Sequence, residues 1–544
     1  MKDSHTVSGK IVDIVNREIF EGSLLIKDGK ISQVSREKNN NDQYILPGLI
    51  DAHIHIESSM LIPSEFARLA SVHGTVATVS DPHEIANVLG IDGINYMIEN
   101  GRKVPMKFYF GASSCVPATP FETSGAELGV DELDHLLQKD EINYLSEMMN
   151  WPGVLFGDKL VQEKLDLAKK YGKPIDGHAP GVKGDDARKY ANAGITTDHE
   201  CFSKEEALDK IKAGMKILIR EGSAAKNFNA LIGLLKEYPE SMMFCSDDKH
   251  PNDLVEGHIN QLVKRAIKMG FDMFDVLRAA VLNPIQHYNL EVGMLRENDP
   301  ADFIIVDNLK DFVIQQTWIN GEKIAENGKT RIQSVEELTP NKFAAEIISP
   351  ADLKVPPQSN TIRVMEALDG ELITNEEDLK PKVENDNLVS DTEKDILKIV
   401  VQNRYEKAKP AVAFVKNFGL KRGAIASTVA HDSHNIVAVG VTDKEIAEAI
   451  NVLVDVKGGV SLSDDGKHFV LPLPVAGLMS NKDGFEVARK YDDLDRKAKE
   501  LGSKLNAPYM TLSFMALLVI PNLKLSDKGL FDGKKFEFTS LFGN

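Results

Sequence analysis

Tyr44–Met60 reads YILPGLIDAHIHIESSM. An apolar run meets a Pro-Gly turn and continues as Leu49-Ile50-Asp51-Ala52-His53-Ile54-His55. Side chains alternate faces along a strand, so His53 and His55 point the same way. Each imidazole offers a neutral nitrogen. Two of them at the end of a buried strand can hold one divalent metal without adding charge to the interior. A pair of buried histidines bonded to backbone is the plainer alternative, and the surrounding chain decides between them.

Outward from that stretch, residues 45–290 alternate apolar strand candidates with helical patterns. The strand candidates are Ile45–His55, Val76–Ser80, Lys107–Ala112, Tyr144–Glu147, Ile175–His178, Thr196–His199, Lys216–Ile219 and Met242–Cys245. Helical patterns such as Glu65–Val72, Gly157–Tyr171, Lys204–Ala213 and Ala224–Glu237 lie between them. Eight strands with interleaved helices predict an α/β fold built as a (β/α)8, TIM-like barrel. An open doubly wound sheet is the rival. It has one crevice at its switch point, whereas polar residues here close nearly every strand.

The flanks differ in texture. Residues 8–35 are short strands broken at Gly and Asn, with Asp28-Gly29 as a hairpin turn, and residues 301–335 return to the same style with Asn320-Gly321. Both ends are expected to meet in one small composite β-sandwich module. The division is 1–44 and 296–345 for that module, 45–295 for the barrel, 346–394 for a linker and peripheral segment, and 395–544 for an additional C-terminal α/β domain. Within the linker, Asn375–Lys394 is charge-rich and expected to be solvated. Phe514–Ile520, stopped by Pro521, reads as a short buried strand.

With 544 residues, two or three domains are expected. Hydrophobic residues make up 42% and charged residues 27%, a globular balance. The net charge of −18 opposes nonspecific nucleic-acid binding. Only 3 cysteines, Cys115, Cys201 and Cys245, fit a reducing cytoplasm better than a disulfide framework. The first residues carry no signal-peptide pattern, and no apolar run reaches the roughly 18 residues of a membrane span. A cytoplasmic protein with neither nucleic acid nor membrane as partner is expected.

A barrel gathers its chemistry at the C-terminal ends of its strands. The ends here carry His53 and His55, Asp81-His83-Glu84, Glu147, His178, His199 and Asp247-Asp248. The set divides between two metals. His53, His55 and Asp247 can hold the more buried ion, His178 and His199 the other, and Glu147 can bridge both, since two cations need an anion between them. Asp247 can orient the activated water and take its proton. Nitrogen and oxygen ligands without thiolate fit manganese, iron or zinc.

In that order (HxH, bridge, His, His, Asp, after PGLIDAHIH) the residues resemble the amidohydrolase superfamily. Many members bridge with a carboxylated lysine; here Glu147, in LSEMMN, stands in its place. With DPHE at 81–84, REGSAAKN at 220–227, SDDKHP at 246–251 and HDSHN at 431–435, the chain is similar to the bacterial adenine deaminases of that superfamily from about residue 8 to its end. The resemblance implies hydrolysis of free adenine to hypoxanthine and ammonia by hydroxide attack at C6. It also implies manganese or iron, two ions per subunit, with an additional position near His83.

It further suggests Glu84 as the proton donor to N1, His83 beside the substrate, and Asp81 and Arg220 as substrate contacts. A helix N-cap for Asp81-Pro82-His83-Glu84 and an Arg220–Glu221 pair are the structural alternatives. Asp248 and His250 are placed behind the ligands. His431 and His434 are expected in a lid loop over the barrel mouth, from the same chain or from the partner of a homodimer. The competing functions are another amidohydrolase, such as a dihydroorotase or hydantoinase, and a metal-binding barrel without activity.

Overall fold

The computed structural model describes residues 4–543. The barrel strands are β1 (Leu49–Ile54), β2 (Thr75–Ser80), β3 (Lys107–Ala112), β4 (Ile142–Met148), β5 (Ile175–Gly177), β6 (Thr197–Asp198), β7 (Lys216–Arg220) and β8 (Met242–Cys245). β1 to β5 pair in sequence order and in parallel, as do β6 to β8. The two arcs join where the Thr196 N–H donates to the Ile175 carbonyl at 2.9 Å and the Asp247 N–H donates to the His53 carbonyl at 2.9 Å. Every residue of β1, β2 and β8 is buried, as expected for parallel strands covered on both faces.

One side chain inside the opening motif fastens the closure. Asp51, fully buried on β1, accepts from the Ser246 N–H at 3.0 Å and from the Ser246 hydroxyl, and lies 2.8 Å from His258 Nε2. The first strand is thereby tied to the residues that follow the last.

Outer helices follow from local signals. Lys204–Lys212 starts at Ser203, whose hydroxyl accepts from the Glu206 N–H, and Lys159–Lys170 starts at Asp158, which caps Val161. The pattern over 224–237 forms only a short α-turn, Phe228–Leu231, continued as a 3-10 helix to Lys236.

The terminal segments share one eight-stranded sheet. Tyr44–Pro47 lies at its centre, parallel to His5–Asp13 and antiparallel to Phe303–Val306. The chain enters the barrel directly from that central strand through Gly48.

The C-terminal part carries a second eight-stranded sheet with helices Asp443–Val456 and Gly484–Glu500. Two expectations are corrected here. Residues 346–394 were expected as linker, yet Ile362–Ala367 and Thr374–Leu379 are strands of this sheet, and Lys382–Glu384 pairs with Asn387–Val389. The charges there sit on the outer faces of edge strands, where water solvates them without any need for an unstructured chain. Phe514–Ile520 is no strand: Phe514 ends the helix Pro508–Phe514, and turns follow. A short apolar run has no period that separates a strand from a buried helix end.

Candidate metal and substrate site

The imidazoles of the opening motif converge as their parity requires. His53 Nε2 and His55 Nε2 lie 3.3 Å apart, both buried. Asp247 Oδ1 faces them at 3.6 and 3.3 Å. Asp247 follows β8 with φ +55°, a left-handed conformation that is costly for a non-glycine residue and turns the carboxylate inward. Its Oδ2 accepts from Arg220 at 2.6 Å. His55 Nδ1 sits 3.1 Å from the Asp81 carbonyl, which fixes the tautomer that leaves Nε2 as a lone pair.

Glu147, on β4, reaches both halves of the cluster. Its Oε1 is 3.4 Å from His55 Nε2, and its Oε2 is 2.7 Å from His178 Nδ1 and 3.2 Å from His199 Nε2. His53 and His199 stack at 4.1 Å between ring centroids. Six residues expected as ligands, His53, His55, Glu147, His178, His199 and Asp247, therefore meet in one buried cluster. The donor set fits divalent ions: the ligand atoms of His53, His55 and Asp247, and those of His53, Glu147 and His199, lie within 4.8 Å of one another.

The electrostatics agree with such a use. Burial opposes charge on Glu147, but His178 and His199 hold it well below the ordinary carboxylate range. Burial likewise opposes ionisation of Asp247, and Arg220, His53 and His55 overcome it. Among the rings, burial works against protonation of His178, yet Glu200 and Glu147 push it up to about 9.

Arg220, expected among the substrate contacts, spends its terminal nitrogens on protein, and its Nε has no partner among the described residues. It pairs with Glu200 through both terminal nitrogens and with Asp247. It does not pair with Glu221, which meets Arg265 at 3.1 Å. Glu200, not singled out in the sequence, lies 3.5 Å from His199 Nε2 and 3.8 Å from His178 Nδ1. Its place directly after His199 in DHE was the available signal.

Asp81 is engaged with the residue that begins the next helix. Oδ1 accepts from the His83 N–H at 3.1 Å, at the start of the helix His83–Leu89, and Oδ2 lies 3.1 Å from His83 Nδ1. It orients His83, and one of its oxygens lies within 4.8 Å of ligand atoms of His55, His83 and Glu147. His83 Nε2 faces Glu84 Oε1 at 3.5 Å and Asp432 Oδ1 at 3.6 Å. Burial disfavours the His83 cation, but Asp81 and Glu84 raise its pKa well above the ordinary value.

The loop His431–Asn435 covers this corner from its own chain. His431 Nδ1 meets Glu84 Oε1 and His434 Nε2 meets Glu84 Oε2. His434 Nδ1 accepts from the Ala430 N–H at 3.2 Å, so its proton sits on the nitrogen facing Glu84. Against the cost of burial, His431, His434 and His83 hold Glu84 well below the ordinary carboxylate range. His431 is pushed up to about 10 by Glu84 and Asp248, also against burial.

Asp248 lies 3.7 Å from His431 Nε2 and accepts from Ser58 at 2.5 Å. His250 points elsewhere: its Nδ1 bonds the Tyr491 hydroxyl at 2.6 Å, and burial lowers its pKa to about 3. It ties the loop after β8 to the helix Gly484–Glu500.

Sequence comparison agrees with this geometry. Residues 44–324 match the Amidohydrolase family, and residues 371–537 match the adenine deaminase C-terminal domain. A Sulfurovum protein named adenine deaminase is 59% identical over 97% of this chain and 98% of its own length. The chain belongs to the adenine deaminase family. Adenine deaminases of Methanosarcina mazei and Salinibacter ruber are each 54% identical, covering 98% and 100% of this chain and 99% and 100% of their own. The similarity expected to bacterial adenine deaminases extends to archaeal ones as well. Adenine deaminases belong to the metal-dependent amidohydrolases, and this chain retains the buried groups able to bind the metal.

Proposed function

We propose that the chain is an adenine deaminase that hydrolyses the C6–amino bond of free adenine, giving hypoxanthine and ammonia. The observation that carries the chemistry is Glu147, with one oxygen toward His55 and the other toward His178 and His199. The near full-length similarity to adenine deaminases supplies the substrate.

His53, His55 and Asp247 would hold one ion, His178 and His199 a second, with Glu147 between them. Manganese or iron fits the nitrogen and oxygen donors, and zinc is compatible with them. When bound, the ions supply a hydroxide near neutral pH and neutralise charge on the reacting centre. An additional position beside His83 has three candidate donors, His83, Glu84 and Asp432. Glu84 already offsets His431 and His434 there, so the reading is two ions per subunit.

The residues then divide the proton traffic. Arg220 fixes one oxygen of Asp247 and leaves the other, facing the His53–His55 pair, to take the proton of the attacking water. Glu84 is an acceptor in the resting site, so the proton for N1 comes from its hydrogen-bonded couple with the His431 cation. A shared proton between two groups titrates as a pair. His83, held by Asp81, faces the same corner and assists as a cation. Leu372, Leu517 and Met149 supply apolar cavity walls for a flat base, which exclude water as the amino group leaves.

A dihydroorotase or hydantoinase is not favoured, since the bridging place holds Glu147 and no lysine. Among the described residues no helix is long and apolar enough to cross a membrane. The large second domain supports a homodimer, which sedimentation would read directly; the lid residues already reach the site of their own subunit. Ammonia release from adenine, adenosine and cytosine, together with ring opening of dihydroorotate, measured after manganese loading, tests the reading. Turnover of adenine is expected, and turnover of dihydroorotate without adenine would refute it.

A further inference from the structure

One carboxylate in the wall of the site has no role in the proton traffic above. Asp432 lies in the lid loop, is 3% exposed, and lines the same cavity as Glu84, Glu147 and Asp247. Its Oδ1 is 3.6 Å from His83 Nε2, and its Oδ2 has no hydrogen-bond partner among the described residues. A buried carboxylate oxygen without a donor is expensive, so a bound group is expected to supply one.

The neighbours do not. His431 and His434 are both turned to Glu84, and the Ser433 hydroxyl, which accepts from Asn435, is directed to Glu122. Glu122 is engaged by Thr119 at 3.2 Å. A cation shared with His83 and Glu84 would have to compete with the two imidazoles that already clamp Glu84. The substrate remains. On the functional reading above, its amino-bearing carbon must sit at the Glu147–Asp247 end of the cavity.

The His83 ring spans the gap from that end to Asp432: Glu147 Oε1 is 3.5 Å from its Nδ1, and Asp432 Oδ1 is 3.6 Å from its Nε2. The amino carbon and the imidazole N–H of a purine lie at opposite ends of its fused rings, a span of similar size. We propose that Asp432 accepts the imidazole N–H of the free purine base and thereby selects free bases over N9-substituted purines and nucleosides. A substituent at N9 removes the donor and leaves the carboxylate buried and unpaired. Sites built to hydrogen-bond a donor reject analogues that lack it far more strongly than apolar pockets reject an extra methyl group.

The test compares kcat and KM for adenine and 9-methyladenine in the wild-type enzyme, Asp432→Ala and Asp432→Asn, with metal content measured on each preparation. For adenine, Asp432→Ala should raise KM about 10- to 100-fold, the size of a lost hydrogen bond to a charged group. The fall in kcat should be smaller and the metal content unchanged. For 9-methyladenine the alanine variant should lose nothing or gain, so that the preference for the free base collapses. Asp432→Asn, which keeps the volume, should show an intermediate loss on adenine alone. The inference is overturned if both variants keep the wild-type KM for adenine, if both substrates lose by the same factor, or if a metal ion is lost. Wild-type enzyme that releases no ammonia from adenine would instead overturn the functional reading, and this inference with it.

Discussion

Glu147 is the residue on which the two halves of the cluster depend, because among the described residues no other carboxylate presents one oxygen to His55 and the other to His178 and His199. Glu147→Gln keeps the shape and removes the charge between two cations. It should lose at least one ion by elemental analysis and at least about 100-fold in kcat. Arg220 is the mirror case, a cation 1% exposed between Glu200 and Asp247. Arg220→Met leaves two buried carboxylates unpaired and should cost about 3–5 kcal/mol by denaturant unfolding of the metal-free protein. At the His431–Glu84 couple the pH dependence follows from sign. The folded pKa of His431, about 10, lies above its unfolded value. The stability it contributes is therefore complete below the unfolded value near 6.5 and is lost as pH rises toward 10. If its proton serves N1, kcat should fall along an alkaline limb near that value, and a pH–rate profile flat through pH 10 would count against the couple.

At the scale of elements, the lid loop is held from behind by a buried cation that the sequence reading passed over. Arg404 donates to the Ala476 carbonyl at 2.9 Å, to Asn341 Oδ1 at 2.8 Å and to the His434 carbonyl at 3.3 Å, while its N–H bonds Asn435 Oδ1 at 3.0 Å. Tyr405 adds a 2.6 Å bond to the Ser433 carbonyl, and Phe514 stacks on His431 at 5.5 Å. Arg404→Met should therefore lower kcat by about 10-fold or more through loss of loop order, with two ions still bound; activity at the wild-type level would show that the loop holds without it. The opening motif was legible as an element because a Pro-Gly turn, a fully apolar run and two histidines of equal parity carry their meaning locally. Arg404, Asp432 and Glu200 were not, since their roles are set by partners far along the chain. Nothing in NRY or in DHE announces Asn341 or Arg220. The run Phe514–Ile520 failed for another reason: seven residues with no period do not distinguish a strand from a helix end packed under a loop.

Across the whole molecule, the strand order of the barrel could be read because nearly every strand carries its polar residue at the same end. The placement of 346–394 could not, because edge strands of mixed charge look like linker until their partners are known. Asp51 joins these scales. It lies in the first motif, yet its bonds to Ser246 and His258 close the barrel. Asp51→Ala should cost about 2–4 kcal/mol in unfolding free energy and loosen the Asp247 end of the site. Chelation of the wild-type protein should abolish turnover and lower Tm, both restored by manganese, because the ions bind the folded state. The measurement closest to the central claim is metal stoichiometry taken together with ammonia release from adenine, on wild type and Glu147→Gln in parallel. Two ions per subunit and one ammonia per hypoxanthine in the wild type, with fewer ions and negligible release in the variant, are predicted. A variant that keeps both ions and full turnover would contradict it.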